Sequence, residues 1–360
     1  MENKKVKNIL FKVELVGKGV VNYDSNDQKR LWNANTEGTG QERVNYDNVS
    51  FAKKRWYLNK VNNNYDHKLI ISSNCLRHHI FIDDVCFQSP NVINNEYLLL
   101  SMIASPASLL RGYLFAANKE FPIKRSSSLN ITDAEQITGS LSSIEIFNRS
   151  GEKTNDPNKS DTTLFKKETV GNISYEAVGN IDLMQMQFIS CDQIFDRLAF
   201  NVDLFGNYLE LLKKRLPSFN SKLGYYQIKN SIIEIPEYGF ILSNEDIVEL
   251  TKELLKRIYK LSIKKANAYA EVSKVKIKYV YDVFDNKIND DNGWIDLDSD
   301  TITNLNFESE YFYIEKEISE AKILRKKLEE EAIERKKRNE EKKKNKKNST
   351  DNVSVTDDNN

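Results

Sequence analysis

The chain has 360 residues, 39% of them hydrophobic and 29% charged, and its 53 basic residues balance 53 acidic ones. That length builds one large or two ordinary domains with a sizeable core, and that composition excludes a chain disordered throughout. A net charge of zero excludes an overall field drawing in nucleic acid, so such a partner must be met by local clusters.

Three cysteines, Cys75, Cys86 and Cys191, make no disulfide framework and fit a reducing compartment. The opening "MENKKVKNILFKVELVGKGV" lacks the apolar run of about 7–15 residues that marks a signal peptide. No stretch approaches the roughly 18 apolar residues that span a bilayer. The expected location is the cytoplasm.

In chain order, "NILFKVELVGKG" alternates polar and apolar residues and predicts a strand ended by Gly17 and Gly19. A polar excursion follows, then "HKLIISSN" and "HIFIDDVCF" read as strands. "NEYLLLSMIASPASLLRGYLFA" predicts a two-piece helix, broken at Ser105-Pro106 and running on through Arg111 to Phe115. "SLSSIEIFNRS" and "TTLFKKETVGNISYEAVGNIDLMQMQFIS" read as strands of a long hairpin with "GEKTNDPNKSD" at its tip. "DLFGNYLELLKKRL" and "SNEDIVELTKELLKRIYKLSIKK" are helices, the second opened by a capping box at Ser243 and Asp246. "KVKIKYVYDVF" is a late strand.

From about Tyr313 the chain turns almost purely charged. Residues 321–347 carry thirteen basic and six acidic side chains, a net of about +7, and lack the apolar heptads of a coiled coil. A solvated, fraying helix and then a disordered tail are expected. Strands and helices do not alternate regularly. The fold class is therefore α+β, an antiparallel sheet with helices on one face and long insertions. The division expected is 1–312 for the folded body and 313–360 for the charged helix and tail.

Chemistry concentrates in "SSNCLRHHIF" (72–81). Cys75, His78, His79 and Cys86 lack the paired knuckles of a structural zinc site, and adjacent histidines on an extended chain point to opposite faces. No glycine-rich elbow surrounds Cys75. Phosphate-binding glycine motifs are absent, and "DNKINDDNGW" is out of register with a calcium loop. Asp83-Asp84 has no supporting context.

Three basic clusters remain. "FAKKRWY" places Lys53, Lys54 and Arg55 beside Trp56. "CLRHH" supplies Arg77, His78 and His79. "LLRGYLFAANKEFPIKRSSSLN" supplies Arg111, Lys119, Lys124, Arg125, Ser126 and Ser127. Arginine, lysine and serine contact phosphates, and interleaved aromatics stack on unpaired bases. These residues are the expected grip on single-stranded nucleic acid. Arg77 leads because its guanidinium is always charged and forks onto phosphate. The competing expectation is a metal- or thiol-dependent hydrolase or nuclease using Cys75, His78, His79 and Asp83.

The Arg/His stretch, the "LLRGYLFA" helix, "KRSSSLNITDAEQ" and "GNISYEAVGNIDLMQMQFISCDQIFDR" together resemble the backbone subunit of class 1 CRISPR surveillance complexes, in particular a compact type I-F variant. The resemblance spans roughly 8–280. It implies a modified RNA-recognition-motif sheet shaped as a palm with finger and thumb insertions. It implies a structural subunit, without cofactor, that polymerises along CRISPR RNA and presents it for pairing with target DNA, other Cas subunits capping the RNA ends. Arg77, His78, His79, Arg111, Lys124, Arg125 and Ser126 then lie on the palm, and "NRSGEKTNDPNKSDTTLFKK" is the thumb or an equivalent hairpin. Two features depart from the pattern. The aromatic-rich strands usual in recognition motifs are missing, and the basic tail has no counterpart. The loop aspartate that cleaves RNA in type III relatives is not carried over to Asp133.

Overall fold

The computed structural model describes residues 4–23, 49–59, 64–82, 96–115, 122–139, 143–150, 162–200, 205–219, 222–232, 234–282, 292–326 and 330. The excursion after the first strand, the hairpin tip, Lys119, Asp83, Cys86 and the tail beyond 330 lie outside these residues.

Alternation builds the centre. In strand Asn8–Lys18 the side chains of Ile9, Phe11, Val13 and Leu15 are buried, while Lys12, Glu14, Val16 and Lys18 stand on the other, more open face. Strand Asn8–Lys18 pairs antiparallel with Asn172–Asp182 on one side and Ala268–Val280 on the other. Outward from Asn172–Asp182 run Ala134–Gly139, Asn64–Ile71 and Lys54–Asn59; outward from Ala268–Val280 runs Ser262–Lys265. Every pairing in this sheet is antiparallel. The large antiparallel sheet expected from the sequence is present, together with several helices.

Helix Asn244–Tyr259 supplies much of the other half of the core. Ile247, Leu250, Leu254, Leu255 and Ile258 join Phe11, Val13, Leu15, Ala177 and Ile277 in one cluster. Its start is capped as the sequence predicts: the Asp246 N–H donates to Ser243 Oγ at 3.1 Å, and the Ser243 N–H donates to the Asp246 carboxylate at 3.2 Å.

A second sheet joins Phe188–Ser190, Glu237–Ile241, Gly224–Ile228 and Tyr313–Lys316 in that order. The boundary expected at 313 thus falls on a strand that pairs with Gly224–Ile228. A third sheet holds the hairpin Ser143–Ser150 and Thr162–Thr169, with Val49–Ser50 running parallel to the latter.

Four element expectations are corrected. The helix read through "KLSIKK" ends at Tyr259, and Ser262–Lys265 is a strand. The stretch read as strand to "LMQMQFIS" is interrupted by helix Leu183–Gln187. "SNCLRHHI" is a helix, Ser73–Ile80, with Ser72 Oγ accepting from the Cys75 N–H at its start. Leu76 and Ile80 recur at i, i+4 and are its buried residues, a helical period that the single Ile-Phe pair obscured. The two-piece helix is present as Glu96–Ile103 and Pro106–Arg111, but the second piece stops at Arg111 instead of reaching Phe115. Gly112 takes φ +73°, and a Cβ there would meet the Arg125 carbonyl oxygen at 2.4 Å. The chain then turns into strand Tyr113–Phe115, which pairs with Ile123–Arg125.

Candidate nucleic-acid interface

The expected residues separate into structural and surface groups. Arg125 is corrected: it lies in the core at 5% exposure. Its guanidinium donates to the carbonyls of Leu109, Gln185, Met186 and Phe188 at 2.7–3.2 Å. Four carbonyls from two segments occupy the fork inside the core, so Arg125 fastens its strand to the helix Leu183–Gln187 and is out of reach of a phosphate.

Lys54 is corrected in the same way. Lys54 Nζ sits 2.6 Å from Glu168, with both side chains at 6% exposure or less. Glu168 also accepts from the Ala52 N–H at 3.0 Å. Arg55 forks onto Asp133 and Glu135 at 2.7 and 2.6 Å. Trp56 lies against the His67 ring, centroids 4.7 Å apart. "FAKKRWY" is therefore mainly a seam between strand Lys54–Asn59 and its neighbours. Lys53 is half-buried.

In the third cluster, Ser127 Oγ contacts the carbonyls of Leu110 and Leu129 at 3.1 and 2.8 Å, and Lys124 pairs with Asp196. Ser126 is exposed. Arg77 is half-buried and donates to the carbonyls of Leu129 and Arg111, both at 2.8 Å. Burial, and then the neighbouring Arg111 charge, hold its pKa below the usual guanidinium value.

His79 belongs elsewhere. Its Nδ1 is 2.9 Å from the Cys75 carbonyl oxygen, one helical turn back. A carbonyl only accepts, so that nitrogen carries the proton and Nε2 is the available atom. Burial lowers the His79 pKa most; the carbonyl bond raises it, and the charges of His78 and Lys265 lower it further. Burial raises the Cys75 thiol pKa, the opposite of what a thiolate nucleophile needs. Its sulfur is 3.8 Å from the protonated His79 nitrogen, which offers no base. Among the described residues no group of three or more His, Cys, Asp or Glu is placed to hold a metal.

His79 opens onto a groove of about 550 Å³ with Lys256, Arg257, Lys260 and Lys264. A hollow of about 430 Å³ shares Lys264 and adds Lys18 and Lys265. Glu253, on the groove wall, is held by Arg257 at 2.8 Å. The end of helix Asn244–Tyr259, helix Ser73–Ile80 and edge strand Ser262–Lys265 thus bring basic side chains from three segments together. Basic side chains outnumber Glu253 and Glu271 along this lining, and a cleft of net positive charge focuses the field and draws anions. Sequence reasoning missed these residues because "LKRIYKLSIKK" reads as an ordinary helix end, where cations complement the dipole. The available signal was the spacing of Lys256, Lys260 and Lys264, one every four residues.

The class defined by fold and site is a mixed α/β protein with a large antiparallel sheet and a basic groove at one sheet edge. The family described as "Type I-Fv CRISPR-associated protein Cas7fv-like" matches residues 5–300, and the chain belongs to it. The resemblance read from the sequence is thereby shown at the level of the family. No curated protein matches the chain. Among solved structures, a chain titled "CRISPR RNA-guided surveillance complex" is similar at 10% identity and TM-score 0.32, covering 75% of this chain and 68% of that one. Another, titled "CRISPR RNA-guided surveillance complex, pre-nicking", is similar at 8% identity and TM-score 0.33, covering 75% and 77%. Overlap this slight leaves the assignment resting on the family match.

Proposed function

We propose that the chain is the CRISPR RNA-binding backbone subunit of an antiviral surveillance complex. Membership of the Cas7fv-like family over 5–300 carries this reading. The guide's phosphates run along the groove of His79, Lys256, Arg257, Lys260 and Lys264, and reach Lys53, Arg77, His78, Arg111 and Ser126. The large sheet is the RNA-recognition-motif-like palm, and the hairpin Ser143–Ser150 and Thr162–Thr169 is the thumb. Copies polymerise along the guide, present it for pairing with target DNA, and meet other Cas subunits at its ends. The role is structural rather than catalytic, in the cytoplasm. No described helix is long and apolar enough to cross a membrane.

The test is purification after a high-salt wash, absorbance at 260 and 280 nm, and sequencing of extracted RNA. Discrete CRISPR-derived RNA on a large oligomer is the expected result. Nucleic-acid-free monomer with stoichiometric zinc would turn the assignment toward the hydrolase reading.

A further inference from the structure

A hollow of about 250 Å³ opens at the second sheet, walled by Phe195, Tyr226, Ile228, Ile235 and Tyr313. Tyr313 stands on strand Tyr313–Lys316, past residue 300 where the family match ends, so chain outside that match completes the hollow. The two charged residues that line it are closed on each other. Glu237 is buried and accepts from Arg197 Nε at 2.8 and 2.9 Å. Sites for small molecules hold roughly 300–1,000 Å³, so a space of this size and apolar character suits one inserted side chain.

The same turn that lines the hollow also carries a knob. Ile232 is 100% exposed, and its neighbours Ser231 and Ile235 are wall residues. The turn is fixed in place: the Lys229 N–H donates to the Phe312 carbonyl at 2.8 Å, the Ser231 N–H donates to the Ile228 carbonyl at 3.3 Å, and Asn230 takes φ +57°. Ile194, Phe195 and Leu114 are exposed as well. Leu114 faces Lys124 across its two-stranded ribbon, and Lys124 pairs with Asp196, next in the chain to Phe195. A single exposed isoleucine is ordinary, but a rigid one beside an apolar hollow and three more exposed apolar residues makes a contact patch.

Charge identifies the partner as protein, and as a like surface. Lys124 is paired with Asp196, Arg197 with Glu237, and Lys229 with Glu310 at 3.4 Å. Glu234 on the turn is exposed. The rim therefore has no positive excess to draw phosphates. The turn itself carries both signs, Lys229 and Glu234, so two copies of it meet without like-charge conflict.

We propose that two copies of the chain meet here about a two-fold axis, Ile232 of each entering the hollow of the other. Knob and hole side by side on one turn are what such a self-complementary contact requires. The contact goes beyond the guide-binding reading. Copies strung along an RNA join two different surfaces head to tail, whereas this contact joins one surface to its own copy and closes at two. A patch this small falls short of the roughly 800 Å² per partner of a stable interface, so the dimer is weak and reversible.

The test is sedimentation velocity on the full chain, stripped of nucleic acid by nuclease and a high-salt wash, from about 1 to about 200 μM. The native chain should pass from monomer to dimer with concentration. Ile232→Asn removes the knob and Phe195→Asn spoils the hole, both without adding charge. Each alone should weaken dimerisation by at least about tenfold, with melting temperatures held near the native value. Mixing the two should restore part of the association, because the second variant's knob still fits the first variant's hole. A native chain that stays monomeric throughout, a dimer that survives Ile232→Asn, or no recovery in the mixture overturns the proposal. Recovery of CRISPR-derived RNA is measured on the native chain and on Ile232→Asn in parallel, so failure of the guide-binding reading is seen separately.

Discussion

The Arg77 guanidinium holds the backbone carbonyl of Arg111 at 2.8 Å, while the Arg111 side chain sets a second positive charge against it. One residue is fixed through the other's main chain, so the two are separable by mutation. Arg77→Ala removes two charge-assisted hydrogen bonds, to the carbonyls of Leu129 and Arg111, of which Leu129 keeps the Ser127 hydroxyl. A loss of about 2–3 kcal/mol is expected, read as a lower denaturant midpoint. Arg111→Gln keeps the carbonyl that Arg77 holds, so it should lower the midpoint less than Arg77→Ala while RNA affinity falls.

The groove gives a direct test of RNA binding. Lys256, Lys260 and Lys264 line it together. Changing all three to Gln should weaken single-stranded RNA binding. The slope of log affinity against log salt should become shallower by about 0.7 for each phosphate no longer neutralised, roughly two in all. An unchanged slope would place the RNA elsewhere on the molecule.

Lys54 should affect folding rather than RNA. Its partner Glu168 is buried, so Lys54→Ala leaves an uncompensated carboxylate. The expected destabilisation is about 3–5 kcal/mol. Lys54→Met combined with Glu168→Gln should recover part of it, because neither residue then carries charge. Thermal melting of the two variants beside the native chain separates this from a surface lysine, which would cost almost nothing.

Gly112→Ala should fail by geometry. The new Cβ would stand 2.4 Å from the Arg125 carbonyl oxygen, at a φ of +73° that side chains avoid. A lowered melting temperature and greater protease sensitivity around 111–125 are expected. Gly206→Ala is the control: nothing lies within 4 Å of a Cβ there, and it sits in helix Phe205–Arg215.

His79 predicts a pH dependence. Burial holds its pKa below the ordinary 6.5, so folding favours the neutral ring. The unfolded chain then takes up the proton first as pH falls. This contribution to stability is full above about 6.5 and declines as pH drops below it toward the folded value. His79→Gln should flatten that part of the midpoint-against-pH curve between pH 7.5 and 5.5. RNA affinity should move the other way in the native chain, since a protonated His79 adds charge to the groove.

Local pattern alone determined a good deal here. Alternation in "NILFKVELVGKG" and "KVKIKYVYDVF" marks two neighbouring strands of the large sheet, because a half-buried strand must change polarity at every residue. Ser243 with Asp246 marks a helix start, and Ser105-Pro106 a helix break, because both act through nearest neighbours on the chain. The short motifs from "CLRHH" to "GNISYEAVGNIDLMQMQFIS" were enough for the family. Tertiary structure decided what each charge does. Arg125 and Lys54 are as basic in sequence as Lys256 and Lys260, yet the first two are buried and the others line a groove. The difference lies in which distant carbonyl or carboxylate arrives beside them: Phe188, sixty-three positions from Arg125, and Glu168, facing Lys54 across the fold. Burial and partnership are set by long-range packing, and no local spacing records them.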